Sequence, residues 1–367
     1  MKDVFQKALR LMAAGEPAAL STIVSSSGSL PMSKKAKMLV TADGTIIGTV
    51  GGGCLEADVW AEARDVMDSG LSSLQKFVLT EEHAGENGLN CGGNVEIFTE
   101  PLAGSDPDGV FAEIARIREH RESAVLATRV TGGESTASKL LVKPDGTTLG
   151  SLGDPAFELA VHESLAERGR LPEDLLEVLE AGENPDGTPL QVFLESICPE
   201  PTLYLFGGGH VSFAIARVAA TVGFRIVVVD DRPMFANKER FPMVDETLTI
   251  DLEKAFDQLK IDDLSYLCAV TRGHQHDKPI VRRAVRTDAA YVGMIGSRRK
   301  IALMWKELEA EGIPKDLLDR VHAPIGLDIG ADNPEEIAVS IVAELINIRR
   351  SRGKPSHEVR SLSGAVT

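Results

Sequence analysis

The sequence is poor in cysteine. Four thiols, Cys54, Cys91, Cys198 and Cys268, are scattered over 367 residues, with no C-x-x-C pair. That spacing supports neither a disulfide framework nor a structural zinc site, and it fits a reducing, cytoplasmic compartment. Positive charge is also short: 39 Lys and Arg against 55 Asp and Glu leave a net charge of −16. An acidic balance of this size argues against nucleic acid or an anionic membrane as the main partner. Long apolar runs are missing, so no segment reaches the length of a membrane-spanning helix. The opening stretch, MKDVFQKALRLMAAG, carries Asp3, Lys7 and Arg10 within a helical pattern. Those charges interrupt any signal-peptide core, and the stretch is expected to be a helix of the mature chain.

What is present is a chain long enough for two or three domains and, at 43% hydrophobic residues, able to bury a core. Its most informative stretch is Leu203 to Arg232, LYLFGGGHVSFAIARVAATVGFRIVVVDDR. A short apolar run is followed by Gly207, Gly208 and Gly209. A helical pattern then places Val211, Ile215, Val218 and Val222 on one face, and a second apolar run ends at Asp230. Strand, glycine turn, helix, strand and acid, in that order, make the first half of a dinucleotide-binding unit. Gly207 permits the sharp turn, and Gly209 lets a phosphate approach the backbone at a helix N-terminus. Asp230 stands where a ribose-binding acid is expected, and Arg232 follows it. The third small position of the motif is Ser212 rather than glycine. His210 has two readings, a hydrogen bond to a ligand phosphate or a cap on the turn.

Downstream, apolar runs at 264–270 and 289–295 alternate with helical patterns, which predicts a mostly parallel sheet. Ligands of such sheets bind beyond the carboxyl ends of the strands. Four segments fall on that edge: GGGH, DDR, Thr271-Arg272-Gly273-His274-Gln275-His276-Asp277 and Gly296-Ser297-Arg298-Arg299-Lys300. Gly296, Ser297 and Arg298 open a helix and predict an anion trap, although a basic run is also what a solvated helix face looks like. Thr271 and His274 join the candidate set. His274, His276 and Asp277 suit metal binding or proton transfer, but histidines two residues apart do not share a helix face. The last helix is expected to start at Asn333-Pro334-Glu335-Glu336.

The first half is a duplication. From Leu39 to Glu56 and again 102 residues later, eight of eighteen positions are identical, including Asp43-Gly44-Thr45 and Asp145-Gly146-Thr147, both read as hairpin turns. Helical stretches at 2–14 and 109–120 open the two copies. Each copy reads as helix, strand, hairpin, helix and one or more strands. The expected architecture is α/β: a C-terminal Rossmann-like parallel sheet domain (198–350) behind an N-terminal α+β region (1–197) of two related repeats, about 1–102 and 103–197. Residues 351–367 are expected to be a loose tail.

The copies differ where chemistry fits. Only the first carries glycine-flanked cysteines, Cys54 after Gly51-Gly52-Gly53 and Cys91 before Gly92-Gly93. Cys54 should open a helix, where the dipole favours a nucleophilic or metal-binding thiolate. Glu56 either orients a ligand or simply suits that dipole. The alternative for both cysteines is a small residue packed in a tight turn. His83 is a third candidate, more commonly a surface histidine.

Seven separated motifs together resemble the XdhC/CoxI family of accessory proteins for molybdenum hydroxylases. They are GGGCLEADV from Gly51, NCGGNVEIFTEP from Asn90, LFGGGHV from Leu205, VDDRP from Val229, TRGHQHD from Thr271, GMIGSRRK from Gly293 and PIGLDIGADNPEEIAVSI from Pro324. The resemblance covers nearly the whole chain. It implies a chaperone that binds the molybdenum cofactor (molybdopterin), assists its sulfuration and delivers it to an enzyme resembling xanthine dehydrogenase. The implied partners are that client and a cysteine desulfurase, with a homodimer compatible. Cys54 and Cys91 become candidate molybdenum ligands. They are expected to face, across a cleft, a phosphate end held by the glycine turn and the helix at Ser297. The Rossmann half alone suggests instead an NAD(P)-dependent oxidoreductase with His210 or His274 as acid/base.

Overall fold

The structure, a computed structural model, describes residues 2–28, 35–79, 93–102, 108–131, 134, 137–168, 175–183 and 189–351. Cys91 and His83 lie outside the described residues. Chain contacts divide the protein into two units, Met1–Pro199 and Glu200–Thr367.

The first unit contains one topology twice. In the first copy, helix α1 (Lys2–Ala14) precedes strands β1 (Ala18–Gly28), β2 (Lys37–Thr41) and β3 (Ile46–Gly48). Helix α2 (Cys54–Ser69) and strands β4 (Ser73–Leu79) and β5 (Gly93–Pro101) follow. In the second copy the equivalents are α3 (Val110–His120), β6 (Ala124–Arg129), β7 (Lys139–Val142), β8 (Thr148–Ser151), α4 (Pro155–Arg168), β9 (Leu176–Glu183) and β10 (Pro189–Ile197). The sheets have matching orders, β3-β2-β1-β5-β4 and β8-β7-β6-β10-β9, and their strand pairs are antiparallel.

Packing repeats as faithfully. Helix α2 buries Leu55, Val59 and Ala63, and α4 buries Phe157, Val161 and Leu165, each residue 102 positions from its counterpart. The period-2 alternation of a strand divides the sheet faces. Met38 and Val40 of β2 pack with α2, while Leu39 joins the layer under α1 and α3. Leu140 and Val142 pack with α4, and Leu141 joins the same shared layer. That layer contains Val4, Phe5 and Leu11 of α1 with Val110, Phe111 and Ile117 of α3. One apolar core therefore joins the two copies.

The second unit is built on a fully parallel sheet of β11 (Thr202–Phe206), β12 (Arg225–Asp230), β13 (Glu246–Thr249), β14 (Ser265–Ala269), β15 (Tyr291–Met294) and β16 (Val321–His322). The spatial order β13-β12-β11-β14-β15-β16 is the 3-2-1-4-5-6 order of dinucleotide-binding sheets. Helices α5 (His210–Thr221) and α9 (Pro334–Ser351) cover one face through Ile215, Ala219, Ile341 and Leu345. Helices α6 (His274–Ala284) and α7 (Arg298–Ala310) cover the other through Ile280, Val281, Ile301 and Leu308. The short α8 (Lys315–Leu318) leads into β16. Asn333 accepts from the Glu336 amide at 2.9 Å and caps α9. No helix among the described residues is long and apolar enough to cross a membrane.

Candidate functional site

The carboxyl edge of the parallel sheet gathers the glycine turn after β11, the acids after β12, the Thr271 segment after β14 and the basic helix start after β15. Close backbone approaches fix the turn. Gly207 has φ +107°, and a Cβ on it would lie 2.4 Å from the Val270 carbonyl oxygen. A Cβ on Gly208 would lie 2.1 Å from the Phe235 carbonyl oxygen, so neither position admits a side chain. Gly209 differs: nothing lies within 4 Å of its Cβ position. The open side of the turn thus faces away from the packed loops, at the N-terminus of α5.

Helix α5 has no side-chain cap, and its first intrahelical bond runs from Phe213 N to Gly209 O at 3.0 Å. The preceding amides are therefore donors without an intrahelical acceptor. His210 is exposed as the first helical residue. Ser212 is buried, and its hydroxyl has no hydrogen-bond partner. Free amides and the positive dipole end are the features by which a helix start attracts an anion.

Asp230 is committed to the protein itself. One carboxylate oxygen accepts from Arg232 N at 3.0 Å and Arg232 Nε at 2.8 Å; the other accepts from Gly208 N at 2.8 Å and Arg232 Nη2 at 3.0 Å. Four donors fill the roughly four acceptor sites of a carboxylate. Burial raises the Asp230 pKa, but the Arg232 guanidinium and the two amides outweigh it and hold the carboxyl below its usual range. Asp230 is the internal brace of the turn, and Arg232 is its partner. The Arg232 guanidinium also lies 3.7 Å from the Phe235 ring centre. Arg240 lies 5.3 Å from the same ring and donates from Nε to the Gly208 carbonyl at 3.0 Å.

After β14, the Thr271 hydroxyl donates to buried Asp277 at 2.6 Å, which ties the segment to the first turn of α6. Gly273 is the N-cap and His274 the first residue of that helix. Arg272 donates to Asp231 at 3.0 Å and to His276 Nε2 at 3.1 Å. No group of three or more metal-ligating side chains occurs among the described residues. After β15, Gly296 leads to Ser297, which caps α7 by accepting from Lys300 N at 3.5 Å. Arg298, Arg299 and Lys300 are exposed, and among the described residues none has an ion-pair partner.

In the first unit, Cys54 is the exposed first residue of α2. Gly51, Gly52 and Gly53 precede it, all at positive φ, and nothing lies near the Cβ positions of Gly52 or Gly53. Helix α2 has no side-chain cap. Its counterpart α4 begins differently, with Asp154 accepting from Ala156 N at 2.8 Å. Glu56 accepts from the Thr49 hydroxyl, which in turn accepts from Gly51 N at 3.1 Å. Glu158, Ser151 and Gly153 repeat that device in the second copy, so Glu56 holds the loop and its role is common to both copies. Cys268 is fully buried in β14, and burial pushes its thiol pKa up.

Sequence reasoning did not single out Phe235, Arg240 or the Arg272–Asp231 pair. The first two sit in an irregular segment between β12 and β13 with no periodic pattern to read. The doubled acid Asp230-Asp231 was the available signal for the last.

Comparison with known proteins bears on both units. Residues 203–345 match the XdhC Rossmann domain, and residues 11–78 match the XdhC and CoxI family. The protein YqeB of Escherichia coli is 30% identical over 68% of the chain, and the match spans 48% of YqeB, about half its length. A protein of Bacillus subtilis described as a probable xanthine dehydrogenase subunit is 28% identical over 91% of the chain and 94% of its own length. The molybdenum cofactor insertion chaperone PaoD of Escherichia coli is 22% identical over 95% of the chain and 88% of its own. A crystal structure titled a xanthine dehydrogenase, from Bacillus halodurans, superposes with a TM-score of 0.76 at 25% identity, covering 96% of this chain and 97% of that one.

Proposed function

The chain belongs to the XdhC and CoxI family, and on that premise we propose that it is a maturation factor for a molybdenum hydroxylase. It binds the molybdenum cofactor as cargo, supports its sulfuration and delivers it to a client resembling xanthine dehydrogenase. The names of two relatives, a molybdenum cofactor insertion chaperone and a probable xanthine dehydrogenase subunit, support this reading. A cysteine desulfurase is the proposed sulfur source, the cytoplasm the proposed setting, and a homodimer the proposed assembly.

One observation in the molecule carries the proposal. In a chain of net charge −16, the carboxyl edge of one sheet combines an open glycine with uncapped helix amides and three basic side chains without described carboxylate partners. β11 and β15 are separated by one strand, so these features lie about 10 Å apart in the plane of the sheet. Molybdopterin carries a phosphate, or a pyrophosphate in its dinucleotide form, together with a dithiolene-bound metal. The phosphate end suits Gly209, His210, the unpartnered Ser212 hydroxyl and the Ser297–Arg298 helix start. Gly207 and Gly208 shape the turn, while Asp230, Arg232 and Thr271 brace the loops around it; His274 and Gly296 begin or precede the flanking helices. Cys54 is an exposed thiol beside a glycine loop, and with Cys91 it is the proposed soft donor set for molybdenum.

A dehydrogenase reading has less support, because the acid that would hold an NAD ribose already has four internal donors. The test is to purify wild type, Gly209→Asp and Cys54→Ala from cells making the cofactor. Retained pterin and molybdenum are measured, together with client activity restored. Gly209→Asp should lose pterin, and Cys54→Ala should lose client activation. Full retention and activation by both variants would remove the proposal; hydride transfer to NAD by wild type would replace it.

A further inference from the structure

We propose that Arg272 is a phosphate-binding residue of the crevice and that Asp231 is the internal anion a ligand phosphate displaces from it. The inference rests on the reading of the glycine turn as the seat of a phosphate-bearing cofactor, and it adds a mechanism of admission to that site.

Strands β12 and β14 flank β11 on either side. They are therefore two strand spacings apart, about 9–10 Å. Asp231 is the first residue beyond β12, and Arg272 lies just beyond β14. Their side chains nevertheless meet, Nη2 to Oδ2 at 3.0 Å. The pair therefore bars the ground over the carboxyl end of β11, where the chain turns through Gly207 to Gly209. Below it the floor is backbone, since a side chain on Gly207 or Gly208 would run into the Val270 or Phe235 carbonyl.

The bar itself is displaceable. Its two side chains are 42% and 36% exposed, and exposed ion pairs hold weakly. Arg272 keeps further capacity: its Nε is oriented by His276, and Nη1 has no described partner. A phosphate offers more charge than a carboxylate, and its oxygens match the guanidinium fork. The displaced carboxylate is not stranded, because Asp231 Oδ1 already lies 3.7 Å from Arg232 Nε. Arg272 thus exchanges one anion for another, and Asp231 changes partner.

The experiment uses the full-length protein and two probes, pyrophosphate and molybdopterin, with titration calorimetry at fixed ionic strength. Arg272→Gln should weaken both probes by about tenfold or more. Asp231→Asn should tighten them several-fold, and that gain should vanish in the Arg272→Gln background. Arg286→Gln removes a charge beyond the far end of α6 and should leave affinity unchanged. The thermal midpoint of each variant reports whether the fold survives. The inference is overturned by Arg272→Gln binding like wild type, or by an equal Asp231→Asn gain with and without Arg272, which is bulk charge alone. Gly209→Asp separates the two levels. If it leaves binding intact, the reading of the glycine turn fails. If it abolishes binding while Arg272→Gln does not weaken it, only the exchange fails.

Discussion

Lys37 Nζ donates to Glu195 Oε1 at 2.8 Å, from a strand of the first copy to a strand of the second, with both side chains almost wholly out of water. The relationship is reciprocal. Lys139, 102 residues after Lys37, pairs with Glu100 of the first copy, and both are again buried. The lysines lie near the rings of Phe5 and Phe111, at 5.5 and 5.4 Å from the ring centres. Together these residues line a cavity of about 10 Å³ between the copies, with Thr22 and Thr128 also on its wall. That is at the lower limit for one water molecule. A duplicated unit has here kept a self-complementary interior, as a symmetric dimer would.

A buried ion pair is not a net gain in stability over an apolar pair, but a broken one is costly. Lys37→Met should destabilise the first unit by about 3–5 kcal/mol, because Glu195 is left buried and unpaired. Adding Glu195→Met should recover most of that loss. Denaturant unfolding checks this with a local reporter, since Trp60 lies in α2 and Trp305 in α7, one in each unit. In a Trp305→Phe background, Trp60 follows the first unit alone. Equal stabilities of the single and double variants would contradict the expectation.

The three glycines of the turn should separate sharply on substitution. Gly208→Ala drives a methyl group onto the Phe235 carbonyl, 2.1 Å away, and should cost about 1–3 kcal/mol or more. Gly209 has φ −73° and open space around it. Gly209→Ala should therefore cost no more than about 1 kcal/mol, the size of an N-cap effect. Unfolding followed by Trp305 in the second unit gives the ranking.

Much of this arrangement was legible in the sequence. Gly207 to Gly209, the flanking apolar runs and Asp230 fixed the nucleotide-type sheet, because that turn chemistry suits few other contexts. The 102-residue offset exposed the duplication, since equivalent side chains such as Val59 and Val161 do the same packing. The role of Asp230 was not legible. An acid aimed at a ribose and an acid bracing its own loop occupy the same sequence position, and only the donors from Gly208 and Arg232 distinguish them. The cross-copy ion pairs were hidden because Lys37 and Glu195 are distant in sequence. Arg240 and Phe235 lie in a segment without periodicity, where sequence patterns say nothing about contact.

The brace at Asp230 should appear as an acid dependence. Its folded-state pKa lies below the ordinary carboxylate value, with the Arg232 guanidinium and the amides outweighing burial. For a depressed carboxylate, the stabilisation is fully present above the unfolded pKa, about 3.9. It is lost as pH falls through the lower folded value. Asp230→Asn should therefore be less stable than wild type by about 1–3 kcal/mol at neutral pH. The difference should shrink as pH drops below about 4, where the wild-type group also loses its charge. Urea midpoints for both proteins from pH 7 to pH 3, read at Trp305, measure this difference while other titrations largely cancel. A gap that stays constant with pH would mean the charge contributes nothing.

The thiols should divide by environment in the same way. Cys54 is exposed at the start of α2 beside glycines with open space around them. Cys268 is enclosed in the parallel sheet, and burial raises its pKa, so its thiolate is scarce as well as shielded. With limiting iodoacetamide on the native protein, Cys54 should be alkylated while Cys268 remains free until the second unit unfolds. Peptide mass spectrometry gives the order directly. Addition of molybdopterin should then protect Cys54 if that sulfur contacts the cargo. Alkylation of Cys54 that is indifferent to molybdopterin, in a protein that demonstrably binds it, would mean that the cysteine helix start takes no part in holding the cargo.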